Sequence, residues 1–283
     1  MRTLAHLSDL HFGRVDPALL QPLSDLLRRL APDAVVISGD LTQRARKSEF
    51  LAARAYLDRL PMPQIVVPGN HDIPLYDIFS RFVRPLKNYR RYISDELCPI
   101  HIDDEIFITG LNTARSLTFK DGRISREQIQ RIRAQLSCID AKLTKIVVTH
   151  HPFDLPGHFD KDALVGRAAL GMSLFSECGI DLLLAGHMHV STSINTASRY
   201  KISDYSALVV QAGTATSVRG RGESNSFNLI RIAPSEVHVE LYSWAPEQGQ
   251  FIKANRQDFV REANTWTSAG APELNNLLIV GAD

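Results

Sequence analysis

Five short polar segments carry the residues of this chain best suited to chemistry. They are Ser8-Asp9-Leu10-His11, Ser38-Gly39-Asp40, Pro68-Gly69-Asn70-His71-Asp72, Thr149-His150-His151-Pro152 and Gly186-His187-Met188-His189. Their Asp, Asn and His side chains offer carboxylate, amide and imidazole donors. That mixture suits manganese, iron or zinc, whereas an all-oxygen set would point to magnesium or calcium. A single strand-end His or Asp is more often a cap or a satisfied polar group, but the gathering of seven or eight reverses that expectation.

Something must gather them. Each segment follows a short apolar, β-branched-rich run, at residues 3–7, 34–37, 64–67, 145–148 and 181–185, which reads as a buried strand. Helical patterns lie between. Leu19, Leu20, Leu23, Leu26, Leu27 and Leu30 make one apolar face after Pro17, and a helix capped by Ser48 runs to about residue 60. The strand–helix–strand–helix–strand rhythm is that of a doubly wound α/β sheet, whose crevice lies beyond the carboxyl ends of the strands. Residues 100–102 and 106–109 read as a hairpin, and Ser125 with Gln128 as a capping box. Residues 152–166 form a loop long enough to cover a site. From Val190 on, strands are expected at 207–211, 227–232, 237–244 and 251–253, with a flexible basic loop over 213–222. The expected domain spans 1–263, followed by an arm or tail over 264–283.

Composition narrows the class. The chain has 283 residues, is 44% hydrophobic and carries a net charge of +1, so it can bury a full core and has no strong nucleic-acid or membrane signal. Cys98, Cys138 and Cys178 lack metal or redox spacing and suit reduced, buried thiols. No apolar run approaches the roughly 20 residues needed to span a bilayer. These features lead to an expectation of a soluble cytoplasmic protein, with a homo-oligomer left open.

The five segments in this order resemble the calcineurin-like metallophosphoesterase superfamily, and most resemble its bacterial cyclic-nucleotide phosphodiesterases of class III. The resemblance covers residues 9–189. It implies an α/β fold, a four-layer α-β-β-α sandwich of two mixed sheets with helices outside. It also implies one metal held by Asp9, His11, Asp40 and His189, and a second held by Asp40, Asn70, His150 and His187. Asp40 would bridge two transition-metal ions, divalent or trivalent. The nucleophile would be a metal-bridging hydroxide, and His71 a catalytic proton donor or charge stabiliser. One departure is plain. Phosphoprotein phosphatases carry Gly-Asp-x-Val-Asp-Arg-Gly after the second strand, but here Gln43 and Ala45 replace the second Asp and the final Gly. A diester of small size, such as a cyclic nucleotide, is therefore the expected substrate.

Other readings stay open. The same centre could act on a lipid-linked, nucleotide-pyrophosphate, nucleic-acid or phosphomonoester substrate, or the fold could serve as a non-catalytic interaction scaffold, as in the retromer subunit of the superfamily. Arg44, Asn112, Arg115 and His158 are candidate substrate-binding residues, though Asn112 and Arg115 serve equally well as loop caps. Asp72 either orients a neighbouring group or caps a helix near Pro74. His151 packs or hydrogen-bonds beside a ligand. His6, His101 and His238 read as structural. The basic-aromatic run 84–92 reads better as a solvated helix face with tyrosine stems packed inward than as a phosphate-binding surface.

Overall fold

The computed structural model describes residues 1–270 except Phe119, His158, Gly220 and Arg221, with the backbone alone at Lys161. The chain begins β1 (Arg2–Leu7), α1 (Pro17–Leu30), β2 (Ala34–Ile37), α2 (Lys47–Leu57) and β3 (Gln64–Val66). Two short helices, α3 (Ile78–Val83) and α4 (Lys87–Tyr92), lead to β4 (Ile100–Ile102) and β5 (Ile106–Leu111). Then follow α5 (Arg126–Leu136), β6 (Thr144–Thr149), α6 (Ala168–Cys178) and β7 (Leu182–Ala185). The remainder is strand: β8 (Thr192–Asn195), β9 (Leu208–Gln211), β10 (Ser226–Ala233), β11 (Glu236–Ala245), β12 (Gln250–Glu262) and β13 (Thr265–Ser268).

These strands form two sheets. The first has the order β13-β12-β11-β10-β1-β2-β3 and the second β4-β5-β6-β7-β9-β8. Parallel pairing joins β1, β2 and β3, and again β5, β6, β7 and β9. The period-two alternation of side chains explains the layering. In β1 and β2, Ala5, Leu7, Val35 and Ile37 pack on Leu19, Leu23 and Leu27 of α1. Their neighbours Leu4, Ala34 and Val36 pack on Ile108, Ile146, Val148 and Leu184 of the other sheet. The outer face of that sheet, through Phe107, Val147, Leu183 and Val209, receives Ile129 and Ile132 of α5 and Met172 and Phe175 of α6. Strands buried on both faces must be continuously apolar, which is why the four layers follow from such runs.

Several expectations need correction. The doubly wound rhythm does not continue into one sheet, because β5 pairs with β6 and not with β3, so the chain starts a second sheet. Ser48 lies inside α2; the Glu49 carboxylate instead accepts from the backbone N–H groups of Arg44 and Arg46, at 2.8 and 3.2 Å. The stretch expected as an arm begins as β13, which pairs with β12 and buries Trp266. Cys138 is exposed and the other two cysteines are half-buried; all three are free. The loop expected to be flexible is packed over residues 213–217, which are buried, while Arg221 lies outside the described residues.

The hairpin and the Ser125 cap are as expected. Tyr89 is buried and donates to the carbonyl of Val66, while Arg84, Lys87, Arg90 and Arg91 are exposed, so the run 84–92 is a solvated face with an inward tyrosine stem. Among the described residues, no helix is long and apolar enough to cross a membrane.

Candidate metal centre

All five polar segments meet where the two sheets abut. Backbone strain marks the meeting point: Asp9, His11, Asp40, His187 and His189 all have φ between 48° and 71°. Left-handed backbone at non-glycine residues costs roughly 1–3 kcal/mol each and gathers at functional sites. Two glycines make the approach feasible. A Cβ at Gly186 would lie 1.7 Å from Ser8 Oγ, and one at Gly69 would lie 2.1 Å from Asp40 Oδ1.

The Asp9 carboxylate is half-satisfied. Its Oδ2 accepts from Ser8 Oγ at 2.6 Å and from the His187 N–H at 3.0 Å. Its Oδ1 is buried without an aligned hydrogen bond, although Nε2 of His189 and of His11 lie 3.1 and 3.4 Å away. Those two ring nitrogens are themselves 3.3 Å apart. Three lone-pair donors thus converge on one point, an arrangement that a cation completes.

Asp40 is divided in the same way. Oδ1 accepts from the His71 N–H at 2.8 Å, which leaves Oδ2 3.4 Å from His150 Nε2 and 3.8 Å from His11 Nε2. Nε2 of His150 also lies 3.1 Å from Asn70 Oδ1 and 3.3 Å from His187 Nδ1. Asp9, His11 and His189 form one cluster able to hold an ion; Asp9, Asp40 and His150 form another that overlaps it.

Supporting hydrogen bonds orient the rings. His150 Nδ1 donates to the Ser38 carbonyl at 2.8 Å and His189 Nδ1 to the Arg219 carbonyl at 3.1 Å, so in the neutral tautomers both Nε2 atoms present lone pairs to the centre. Burial opposes charge on His150, but Asp40 prevails and raises its pKa to about 9. His189 is likewise raised by Asp9 against burial. Burial and the neighbouring His150 push His187 down to about 3. The carboxylate of Asp72 accepts from the N–H groups of Leu41, Thr42 and Gly69 and from Thr42 Oγ1, at 2.9–3.2 Å. It therefore ties the Asp40 and Asn70 loops together, while Asp77 caps α3.

His151 is spatially close to His150 and His187, but its Nε2 donates to the Lys120 carbonyl at 2.8 Å and its Nδ1 meets Thr113 Oγ1 at 2.8 Å. Both nitrogens are engaged, which makes it a packed neighbour. His71 stands apart from the donor clusters. Its Nδ1 donates to the Gln43 carbonyl at 2.9 Å and its Nε2 faces Arg219 Nη1 at 3.0 Å. Burial lowers its pKa. The carbonyl of Gln43 thus supports the ring.

The calcineurin-like phosphoesterase profile matches residues 2–191, a span that includes every one of these donors. The chain belongs to the calcineurin-like phosphoesterase family. That is a family of hydrolases acting on phosphoesters, and one that uses divalent metals. A glycerophosphodiester phosphodiesterase (GpdQ) of Enterobacter lignolyticus is 30% identical over 173 residues, covering 54% of this chain and 58% of that protein. A cAMP/cGMP dual specificity phosphodiesterase of Mycobacterium tuberculosis is 28% identical over 270 residues, covering 83% and 77%. Among solved structures, a dimetal phosphatase from Danio rerio superposes with a TM-score of 0.65 at 15% identity, over 89% of this chain and 98% of that one. This last likeness shows the shared phosphoesterase fold.

The outer candidates are placed less centrally. Arg44 donates to the Tyr76 hydroxyl and stacks 4.8 Å from its ring centroid, at the rim. Arg115 donates to the carbonyls of Asn112 and Ala114 and to Gln128 Oε1, and Asn112 Oδ1 accepts from the Ala114 N–H at 2.9 Å, so both cap their loop. His158 lies outside the described residues. His6 is buried, with Nε2 3.0 Å from Ser38 Oγ.

Sequence reasoning gave the 213–219 segment no role in positioning the site. Thr214 Oγ1 donates to the Asp9 carbonyl at 2.8 Å, Thr216 Oγ1 to the Leu10 carbonyl at 2.9 Å, and Arg219 reaches His71.

Proposed function

We propose that this phosphoesterase is a two-metal phosphodiesterase of small diesters, cyclic nucleotides among them. The observation that carries the reading is Asp40 Oδ2 lying between His11 Nε2 and His150 Nε2, with a donor cluster on either side. One ion would be held by Asp9, His11, Asp40 and His189, the other by Asp40, Asn70, His150 and His187. The unsatisfied Asp9 Oδ1 and the lone pairs facing it fit such ions, and the nitrogen-rich donor set favours manganese, iron or zinc. When bound, the ions supply Lewis acidity and lower the pKa of the attacking water.

The chain's own residues do the rest. Ser38 and Arg219 lock the tautomers of His150 and His189, and Asp72 fixes the spacing of the Asp40 and Asn70 loops. Arg219 faces a non-bridging phosphoryl oxygen, and His71, beside it, serves the departing oxygen. Among the described residues, Arg219 is the one whose guanidinium meets His71, and a single such cation matches the single charge of a diester. The names of the two relatives, a glycerophosphodiester and a cyclic-nucleotide phosphodiesterase, support a diester as well.

The test is a turnover screen of metal-reconstituted protein on cyclic AMP, a glycerophosphodiester, bis-p-nitrophenyl phosphate and p-nitrophenyl phosphate. Diesters should be hydrolysed faster than the monoester. A strong monoester preference would make the protein a phosphatase, and no turnover with two ions bound would leave a scaffold.

A further inference from the structure

Helix α3 is built inside out. Its charged residue, Arg81, is 2% exposed, while Ile78, Phe79, Phe82 and Val83 are 68, 74, 49 and 56% exposed. The pairs 78/82 and 79/83 are spaced i, i+4, so the four side chains form one continuous outward face. Arg81 anchors the helix from within: its Nε donates to the Ser116 carbonyl at 2.9 Å and its Nη1 to the Pro74 carbonyl at 3.0 Å. The first of these bonds brings exposed Leu117 alongside, and exposed Tyr76 extends the face toward Arg44. Among the described residues, these apolar side chains, held outward by a buried arginine, belong to none of the core clusters. Such patches mark interaction surfaces.

Charge selects the partner. The segment 74–92 carries Arg81, Arg84, Lys87, Arg90 and Arg91 against the single carboxylate Asp77, in a chain whose net charge is only +1. Arg84, Lys87 and Arg91 are exposed beside the apolar face. They line, with Val83 and Leu97, a cavity of about 710 Å³. We propose that α3 docks this phosphoesterase on an anionic lipid surface, with Phe79 and Phe82 entering the interface and Arg84 and Lys87 meeting lipid phosphates. Aromatic residues over basic ones are what such a surface takes up. Two other occupants fit less well. A second copy meeting the same face across a two-fold axis would set these cations against one another, and peptide docking uses a groove, whereas Phe79 and Phe82 stand out from the helix and are not among the residues lining that cavity. Tyr76 touches Arg44, next to the Gln43 carbonyl that holds His71, so docking would bring the metal centre close to the membrane.

The test is co-sedimentation of the full chain with sucrose-loaded vesicles of phosphatidylcholine alone and of phosphatidylcholine with phosphatidylglycerol. The expected result is sedimentation with the anionic vesicles only, weakening as salt rises. F79S/F82S should lower the partition about tenfold or more, with the circular dichroism and melting temperature of the parent. Should that variant fold poorly, R84E/K87E gives the same reading from the charge side. Equal binding to neutral vesicles, no binding at all, or binding undiminished in both variants would overturn the proposal. So would a dimer by light scattering that F79S/F82S converts to monomer, which would assign the face to self-association.

Discussion

Nε2 of His71 lies 3.0 Å from Nη1 of Arg219, while Nδ1 of the same ring donates to the Gln43 carbonyl at 2.9 Å. Arginine is always a donor, so Nε2 is the acceptor and the ring is a neutral imidazole, in keeping with its lowered pKa. In the proposed reaction a bound phosphoryl group takes over Arg219 and its negative charge favours protonation of the freed Nε2 from solvent, and that proton then goes to the departing alkoxide.

His71→Ala should therefore cost more on an alkyl diester such as cyclic AMP than on bis-p-nitrophenyl phosphate, whose leaving group departs unaided. General-acid catalysis is worth about 10²–10⁴-fold. Comparing kcat/KM of the two proteins on both substrates checks this. Equal fold-losses would leave His71 only an electrostatic role, and loss of metal would make it a ligand or a ligand's support.

Arg219→Ala should lower kcat/KM by about 10²-fold, the usual cost of one donor to a developing charge, on both of those diesters. Its metal content should be unchanged, because His189 is held by the Arg219 main-chain carbonyl and not by the side chain. Elemental analysis beside the kinetics separates the two outcomes, and a KM effect alone would reduce Arg219 to substrate binding.

Asp40→Ala should deplete both ions, whereas His189→Ala should deplete mainly one. The reason is the placement of Asp40 Oδ2 within 3.8 Å of ring nitrogens from both sides, whereas His189 lies in the cluster of Asp9 and His11. Metal per chain in the purified variants is the measurement. Two full equivalents in Asp40→Ala would remove the shared-ligand assignment.

Gly186→Ala should damage the centre without touching a donor. Its Cβ would lie 1.7 Å from Ser8 Oγ and 2.7 Å from Asp9 Oδ2, and overpacking of this kind costs about 1–3 kcal/mol. A lower urea midpoint together with weaker metal retention is expected. A variant indistinguishable from the parent in both would show that the two loops can separate freely.

His6 makes a pH prediction. Burial pushes its pKa to about 3, against roughly 6.5 in an unfolded chain. The unfolded state thus binds the extra proton first, and the stability His6 allows is fully present above pH ~6.5 and is lost as the pH falls toward 3. Urea unfolding of metal-free protein at pH 7.5 and pH 5 should show a smaller loss in His6→Gln than in the parent. Equal losses would mean that His6 is charged when folded.

Read along the chain, the donors were legible because each sits immediately after a strand, and strands buried on both faces must be unbroken apolar runs. Their residue types constrained the chemistry for the same local reason: an Asp, an Asn or a His keeps its donor atoms wherever it is placed. The hairpin, the Ser125 cap and the helix at Pro17 are also local, set by turns and by period. Non-local choices were not legible. Nothing in residues 73–106 states that β5 leaves the first sheet, since pairing β5 with β6 instead of β3 depends on which apolar surfaces remain uncovered once α1 and α2 have packed. The Arg219–His71 contact joins residues far apart in sequence, through a loop whose composition reads as flexible until its hydroxyls meet the carbonyls of Asp9 and Leu10. The outward face of α3 is hidden in the sequence for a related reason. An amphipathic stripe reports that a helix has an apolar side but not which way that side turns, and here the tertiary bonds of Arg81 to Ser116 and Pro74 turn it to the solvent.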